Sequence, residues 1–111
     1  MSSQRPPHIE ARIEFVTTEA GGRKGFALSG YRPQFYYHGQ DWDAEQTYPE
    51  AEKVFPGDTV KAHLRFLSPK SHFGNIDVGM PFLVREGVRT VAFGIVTQIF
   101  DQLAQDSMQT K

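Results

Sequence analysis

The feature that most constrains the fold is a strict alternation of apolar and charged residues near the start of the chain. Apolar side chains occupy every second position (Ile9, Ala11, Ile13 and Phe15), and charged ones lie between them (Glu10, Arg12 and Glu14). A period of two is typical of a β-strand that buries one face and exposes the other to water. Val60 to Phe66 repeats the pattern, so the sequence predicts strands rather than amphipathic helices here.

Three further segments favour strands: Gln34 to His38, Pro81 to Arg85 and Val91 to Phe100. The last is β-branched and aromatic with apolar residues on both faces, which predicts a strand covered on both sides. Glycine, proline and acidic turn segments separate these strands. The pattern favours an all-β fold, an antiparallel barrel of about six strands.

Two turns have enough chemistry to predict their geometry. Pro56-Gly57 fits the centre of a type II turn, because proline fixes φ near −65° and glycine accepts a positive φ. In Gly87-Val88 the valine is β-branched and resists positive φ, which argues against a type I′ turn. We therefore predict a type II′ turn with Gly87 in its first central position.

Composition predicts one small cytoplasmic domain. The 111 residues include no cysteine, no apolar segment long enough to span a membrane and no secretory signal after Met1. The formal net charge is −1, without the basic excess of a dedicated nucleic-acid binder. We divide the chain into a disordered segment 1–7, a barrel 8–100 and a polar tail 101–111. Within that tail, Asp101 to Gln109 forms either a turn or two of helix or a frayed end.

Nothing in the sequence indicates an enzyme, a metal or a cofactor. The four histidines lack the spacing of zinc ligands, and no Gly-x-Ser-x-Gly nucleophile motif occurs. No Gly-x-x-x-x-Gly-Lys-Ser/Thr loop is present, so no GTP binding is expected. We predict no catalytic residue and no metal site.

One block is long enough to indicate a family. Gly30-Tyr31-Arg32-Pro33-Gln34-Phe35-Tyr36 is followed downstream by Pro56-Gly57-Asp58 and by Arg85-Glu86-Gly87-Val88-Arg89-Thr90-Val91. In order and spacing these residues resemble the C-terminal (third) β-barrel domain of bacterial elongation factor Tu, here as a free-standing domain without the GTPase. The resemblance covers about His8 to Phe100.

The resemblance implies four site residues. Gly-Gly-Arg precedes Tyr31 by the family's spacing, and that arginine, the glutamine of the block and the Glu-Gly of the turn lie where the family meets the T-stem of aminoacyl-tRNA. Arg23, Gln34, Glu86 and Gly87 inherit this suggestion. Amide and turn N–H groups suit a partner recognised by its backbone and 2′-hydroxyls. Alternatively, these residues only shape the hairpin and the barrel rim.

Several departures from the family pattern weaken tRNA binding. Ser68 replaces a basic residue, and Gly39 to Asp43 reads as an acidic loop that includes Trp42. Carboxylates near phosphates reduce the counterion release that supplies most nonspecific affinity. Phe93 replaces a small residue, which suggests that a surface packing against a neighbouring domain has been remodelled. A loop at 70–77 is enlarged, and its Phe73 and Ile76 favour a partner surface if they are exposed.

Three functions follow, in decreasing order. The first is a non-catalytic module that binds a protein recognising the intact factor, such as a nucleotide-exchange factor, a toxin or a regulator. The second is a module that binds the tRNA T-stem through Arg23, Gln34, Glu86 and Gly87. The third is an enzyme.

Overall fold

Eight strands and two short helices make up the fold. The structure, a computed structural model, describes residues 5–109. The strands are β1 (Ile9–Phe15), β2 (Ala27–Leu28), β3 (Gln34–Tyr37), β4 (Gln40–Thr47), β5 (Lys53–Val54), β6 (Thr59–Phe66), β7 (Pro81–Glu86) and β8 (Arg89–Ile99), and the helices are α1 (Pro69–His72) and α2 (Asp101–Ser107). Six strands close into an antiparallel barrel in the order β1-β6-β4-β3-β7-β8, while β2 and β5 pair separately. The predicted all-β six-stranded barrel is confirmed.

The segment expected to be an acidic loop is instead part of a strand. β4 follows β3 through a two-residue turn, His38-Gly39, whose φ values of 49° and 80° are both positive, as in a type I′ turn. Trp42 lies within β4, partly buried against the core. The loop interpretation was wrong because the polar residues of Gln40–Thr47 occupy the outward positions of a strand.

β8 also differs from expectation, because only one of its faces is covered. Val91 and Val96 are buried, whereas 53% of Phe93 and 43% of Ile95 remain exposed. A closed barrel has a single interior, so alternate residues of each strand must point outward. Within residues 5–109, no second layer of structure packs over the outward side of β8.

The core is centred on a group of aromatic rings. Phe35 packs against Phe82, Phe66 and Tyr37 at centroid distances of 4.2, 5.0 and 5.4 Å. Gly94 of β8 lies directly beside this group, and a Cβ there would come within 2.1 Å of the Phe82 ring. The glycine is therefore required by close packing inside the barrel.

The two helices pack together at the end of the barrel opposite the β7–β8 turn. α1 lies in the enlarged loop, where Ile76 is buried and Phe73 is half exposed. α2 occupies the C-terminal segment, for which a short helix was one of two alternatives, and it buries Leu103. The domain boundaries remain a prediction.

The remaining structural expectations concern the termini and a turn. Residues 1–4 of the segment predicted to be disordered lie outside the described residues. The Pro56-Gly57 turn has a φ of 95° at Gly57 and a hydrogen bond from Asp58 N to Phe55 O of 2.9 Å, as a type II turn requires. No helix within residues 5–109 is long and apolar enough to cross a membrane.

Candidate binding surface at the barrel rim

The β7–β8 hairpin positions two of the predicted site residues. Glu86 pairs with Arg89 across a two-residue turn, Gly87-Val88. Gly87 has a φ of 63°, and among the described residues His38 is the only non-glycine with positive φ. These signs are those of the predicted type II′ turn and exclude type I′.

Glu86 is the centre of a small polar network with Arg23 and Tyr31. Its Oε2 accepts a hydrogen bond from Nη1 of Arg23 and another from the hydroxyl of Tyr31. Arg23 Nη2 also donates to the Phe26 carbonyl at 3.1 Å, and its guanidinium lies 4.5 Å from the centre of the Tyr31 ring. The arginine is thus engaged on its edge by oxygen atoms and on its face by an aromatic ring.

Tyr31 stays protonated in this network. Burial raises the pKa of its hydroxyl, and the hydrogen bond to the Glu86 carboxylate raises it further. The phenol is therefore a constant donor near neutral pH, and it orients the carboxylate that pairs with Arg23.

Gln34 lies one strand away and has a different partner. It is opposite Arg85, the neighbour of Glu86, on one side and opposite Asp43 on the other. Its Nε2 donates to Asp43 Oδ1 at 2.7 Å. The structure thus joins Arg23 to Glu86 directly, places Gly87 next to them, and leaves Gln34 bonded to an acidic side chain. We call Arg23, Tyr31, Gln34, Glu86 and Gly87 the rim site.

Tyr31 was not predicted as a member of this site. It lies within the block that carried the resemblance, but 55 residues separate it from Glu86. The closed barrel brings the two together, and no local sequence pattern could reveal the contact.

Apolar side chains border the rim site. Val88, in the turn itself, is 92% exposed, and Phe26, whose carbonyl binds Arg23, is 40% exposed. Phe26 contacts the half-exposed Phe55 with ring centroids 5.6 Å apart. The rim therefore combines a satisfied ion pair with exposed apolar surface.

The most strongly perturbed histidines lie near the helices, at the other end of the barrel. His8 is fully buried, accepts a hydrogen bond from Phe66 N at Nδ1 (2.9 Å) and donates from Nε2 to Asp106 (2.7 Å), an arrangement that fits a neutral ring. Burial lowers the pKa of His8 despite the neighbouring carboxylate. His72 stacks on Phe66 at 4.0 Å, and burial lowers its pKa to about 4.

These histidines have structural surroundings and do not form a metal centre. Within residues 5–109, no group of three or more histidine, aspartate and glutamate side chains lies close enough to hold a metal ion. His63 contacts Glu10 at 3.2 Å on the barrel wall, away from His8 and His72 in sequence and partner.

Comparison with known protein families gives one match. The elongation factor Tu C-terminal domain matches residues 3–100, which include every residue of the rim site and all eight strands. The family domain is a non-catalytic β-barrel. Helix α2 lies beyond the matched range.

Proposed function

This chain belongs to the elongation factor Tu C-terminal domain family, and we propose that it binds a protein of the translation machinery through the rim site. The family indicates a translation-related binding module. The partner is a protein that recognises the translation factor, such as its exchange factor, a regulator or a toxin. Its place of action is the cytoplasm, where translation occurs.

The observation that carries this proposal is the state of Arg23. Its guanidinium already pairs with Glu86 and the Phe26 carbonyl and stacks on Tyr31. An RNA phosphate would have to displace or compete with that carboxylate. The exposed side chains beside the pair, Val88 and Phe26, are apolar and suit a protein surface.

The charge near Gln34 supports the same choice. Asp43 accepts the hydrogen bond that Gln34 would otherwise offer to a ribose or phosphate oxygen, and Asp41 lies on the same strand. With a formal net charge of −1, the chain gains little from counterion release on RNA.

A tRNA T-stem is the second candidate. The exposed Gly87 turn and the exposed cations Lys24 and Arg89 at the same rim favour it. A turn backbone and two cations suit a phosphate–sugar backbone that is recognised without reading its sequence. We expect such binding to be weak and strongly dependent on salt.

Two titrations separate these candidates. The purified exchange factor for elongation factor Tu from the same cell and total tRNA are each titrated with the chain at low and at moderate salt. We expect the protein to bind at both salt concentrations and tRNA to bind at neither. Val88→Asp should weaken protein binding at least tenfold, because it places a charge in the centre of the exposed turn.

The matched control is Val78→Asp, a similarly exposed valine in the loop that follows α1, before the start of β7. It should leave binding unchanged. Steep, salt-dependent tRNA affinity without protein binding would replace the first candidate with the second. Loss of binding in both valine variants alike would remove the rim site from the account.

A further inference from the structure

A second surface, separate from the rim site, lies on the outside of the barrel wall. Phe93 and Ile95 of β8 point outward, and the strand register places Leu83 beside Phe93 and Pro81 beside Ile95. Tyr36 of β3 continues the row beyond Leu83. We call these five residues the outer face, and they line an open groove of about 400 Å³.

The outer face is apolar across three adjacent strands. Phe93, Ile95 and Pro81 are exposed, while Tyr36 and Leu83 are partly covered. Scattered apolar residues are ordinary on protein surfaces, but a contiguous group that includes two aromatic rings is typical of an interaction site.

Charges of both signs border this face on β1. Arg12 lies opposite Ile95, and Glu14 lies opposite Phe93, so the two charged side chains stand two residues apart on one strand and line the same groove. Both are exposed, and within residues 5–109 neither forms an ion pair within 4 Å.

We propose that the outer face binds a second copy of this chain across a two-fold axis. In such a dimer the same patch meets itself, so each contact occurs twice with the residues exchanged. An axis that passes between Arg12 and Glu14 sets the arginine of each copy against the glutamate of the other. The face therefore supplies its own electrostatic complement, whereas a partner of uniform charge would meet repulsion from one of the two residues.

The topology and the overall charge agree with this contact. The barrel is closed and leaves none of its six strands with a free edge, so the copies meet through side chains rather than by pairing strands. A formal net charge of −1 per chain adds little repulsion between copies. Five apolar residues form a smaller face than the roughly 800 Å² per partner of a standard interface. We expect a reversible dimer with a micromolar dissociation constant.

Sedimentation velocity over about a hundredfold range of protein concentration measures the association. The wild-type chain should shift from monomer to dimer as its concentration rises. Phe93→Lys should be monomeric throughout, because it places a cation in the apolar contact of both copies. Phe73→Lys, at a similarly exposed phenylalanine near α1, is the control and should dimerise like the wild type.

Charge exchange tests the two-fold arrangement itself. Arg12→Glu and Glu14→Arg should each weaken the dimer about tenfold or more, because each places like charges opposite one another. The double variant with both changes should restore wild-type association. Equal thermal melting of all variants shows that the monomer still folds.

Three results would overturn the proposal. They are a wild-type chain that stays monomeric at the highest concentration, a dimer that Phe73→Lys disrupts and Phe93→Lys does not, and a double charge exchange that fails to restore association. Val88→Asp should not affect dimerisation, so failure at the rim site and failure at the outer face are distinguishable.

Discussion

At the scale of single residues, Glu86 holds the rim site together. One carboxylate oxygen accepts hydrogen bonds from both Arg23 and Tyr31, although they lie in different parts of the chain. The side chain of Arg23 is 22% exposed and that of Glu86 is 37% exposed, so solvent screens part of the ion pair. The network fixes the shape of the rim more than it stabilises the whole fold.

Glu86→Ala should lower the free energy of unfolding by about 1–2 kcal/mol, because it leaves the Tyr31 hydroxyl and one edge of Arg23 without their acceptor. Urea denaturation measures the change. Glu50→Ala is the control, since the Glu50–Lys61 pair is far more exposed and should contribute close to nothing. An equal loss in both variants would contradict the role given to Glu86.

The buried ring of His72 makes stability depend on pH. Its folded-state pKa is about 4, below the 6.5 of an unfolded histidine, so between these values the unfolded chain binds more protons. The contribution is complete above pH 6.5 and is lost as pH falls towards 4. The loss is on the order of 3 kcal/mol for His72, and the lowered pKa of His8 acts in the same direction.

Urea unfolding at a series of pH values from 7.5 to about 4.5 checks this expectation. His72→Phe keeps a ring of similar size against Phe66 but cannot be protonated. Its stability should fall less steeply with acid than that of the wild type, even if it is lower at neutral pH because Tyr37 loses a partner. Parallel curves would show that His72 does not titrate as described.

At the scale of secondary-structure elements, alternation of apolar residues predicted the strands whose outward positions are charged. β1 has the predicted bounds because Glu10, Arg12 and Glu14 separate its buried residues without ambiguity. β4 was missed because its inward residues include Gln46, which a sequence pattern counts as polar. Gln46 is buried with its Oε1 bonded to the Tyr48 hydroxyl at 2.8 Å, a pairing that only the fold supplies.

Close packing between β7 and β8 gives a prediction at Gly94. Gly94→Ala should destabilise the chain by about 1–3 kcal/mol, because the added methyl would overlap the Phe82 ring, which is itself stacked on Phe35. Gly25→Ala is the control, since its Cβ would meet nothing within 4 Å. Thermal and urea unfolding should show a loss only for Gly94→Ala.

Helix α2 gives a second prediction at this scale. Leu103 is almost fully buried, and Asp106 bonds to His8 and Arg65 of the barrel. Leu103→Ala should cost about 2–5 kcal/mol through lost burial and a cavity. Gln105→Ala, at an exposed position of the same helix, should change stability little. A small effect of Leu103→Ala would show that α2 is not docked on the barrel.

At the scale of the whole molecule, the barrel separates three regions. The rim site lies at the β7–β8 turn, the outer face lies along β8, and the two helices cover the opposite end. The closed fold and the positions of Arg23, Glu86 and Gly87 could be predicted from sequence, because alternation and turn chemistry are local signals. The Tyr31–Glu86 contact, the Gln34–Asp43 bond and the bare side of β8 depend on how the barrel closes.

Affinity purification from the source cell tests most directly whether the rim site binds a protein of the translation machinery. Wild-type chain, Val88→Asp and Val78→Asp serve as baits after nuclease treatment. We expect the same translation protein with wild type and Val78→Asp, and its loss with Val88→Asp. Recovery of only the bait, or of partners that Val88→Asp retains in full, would contradict the account.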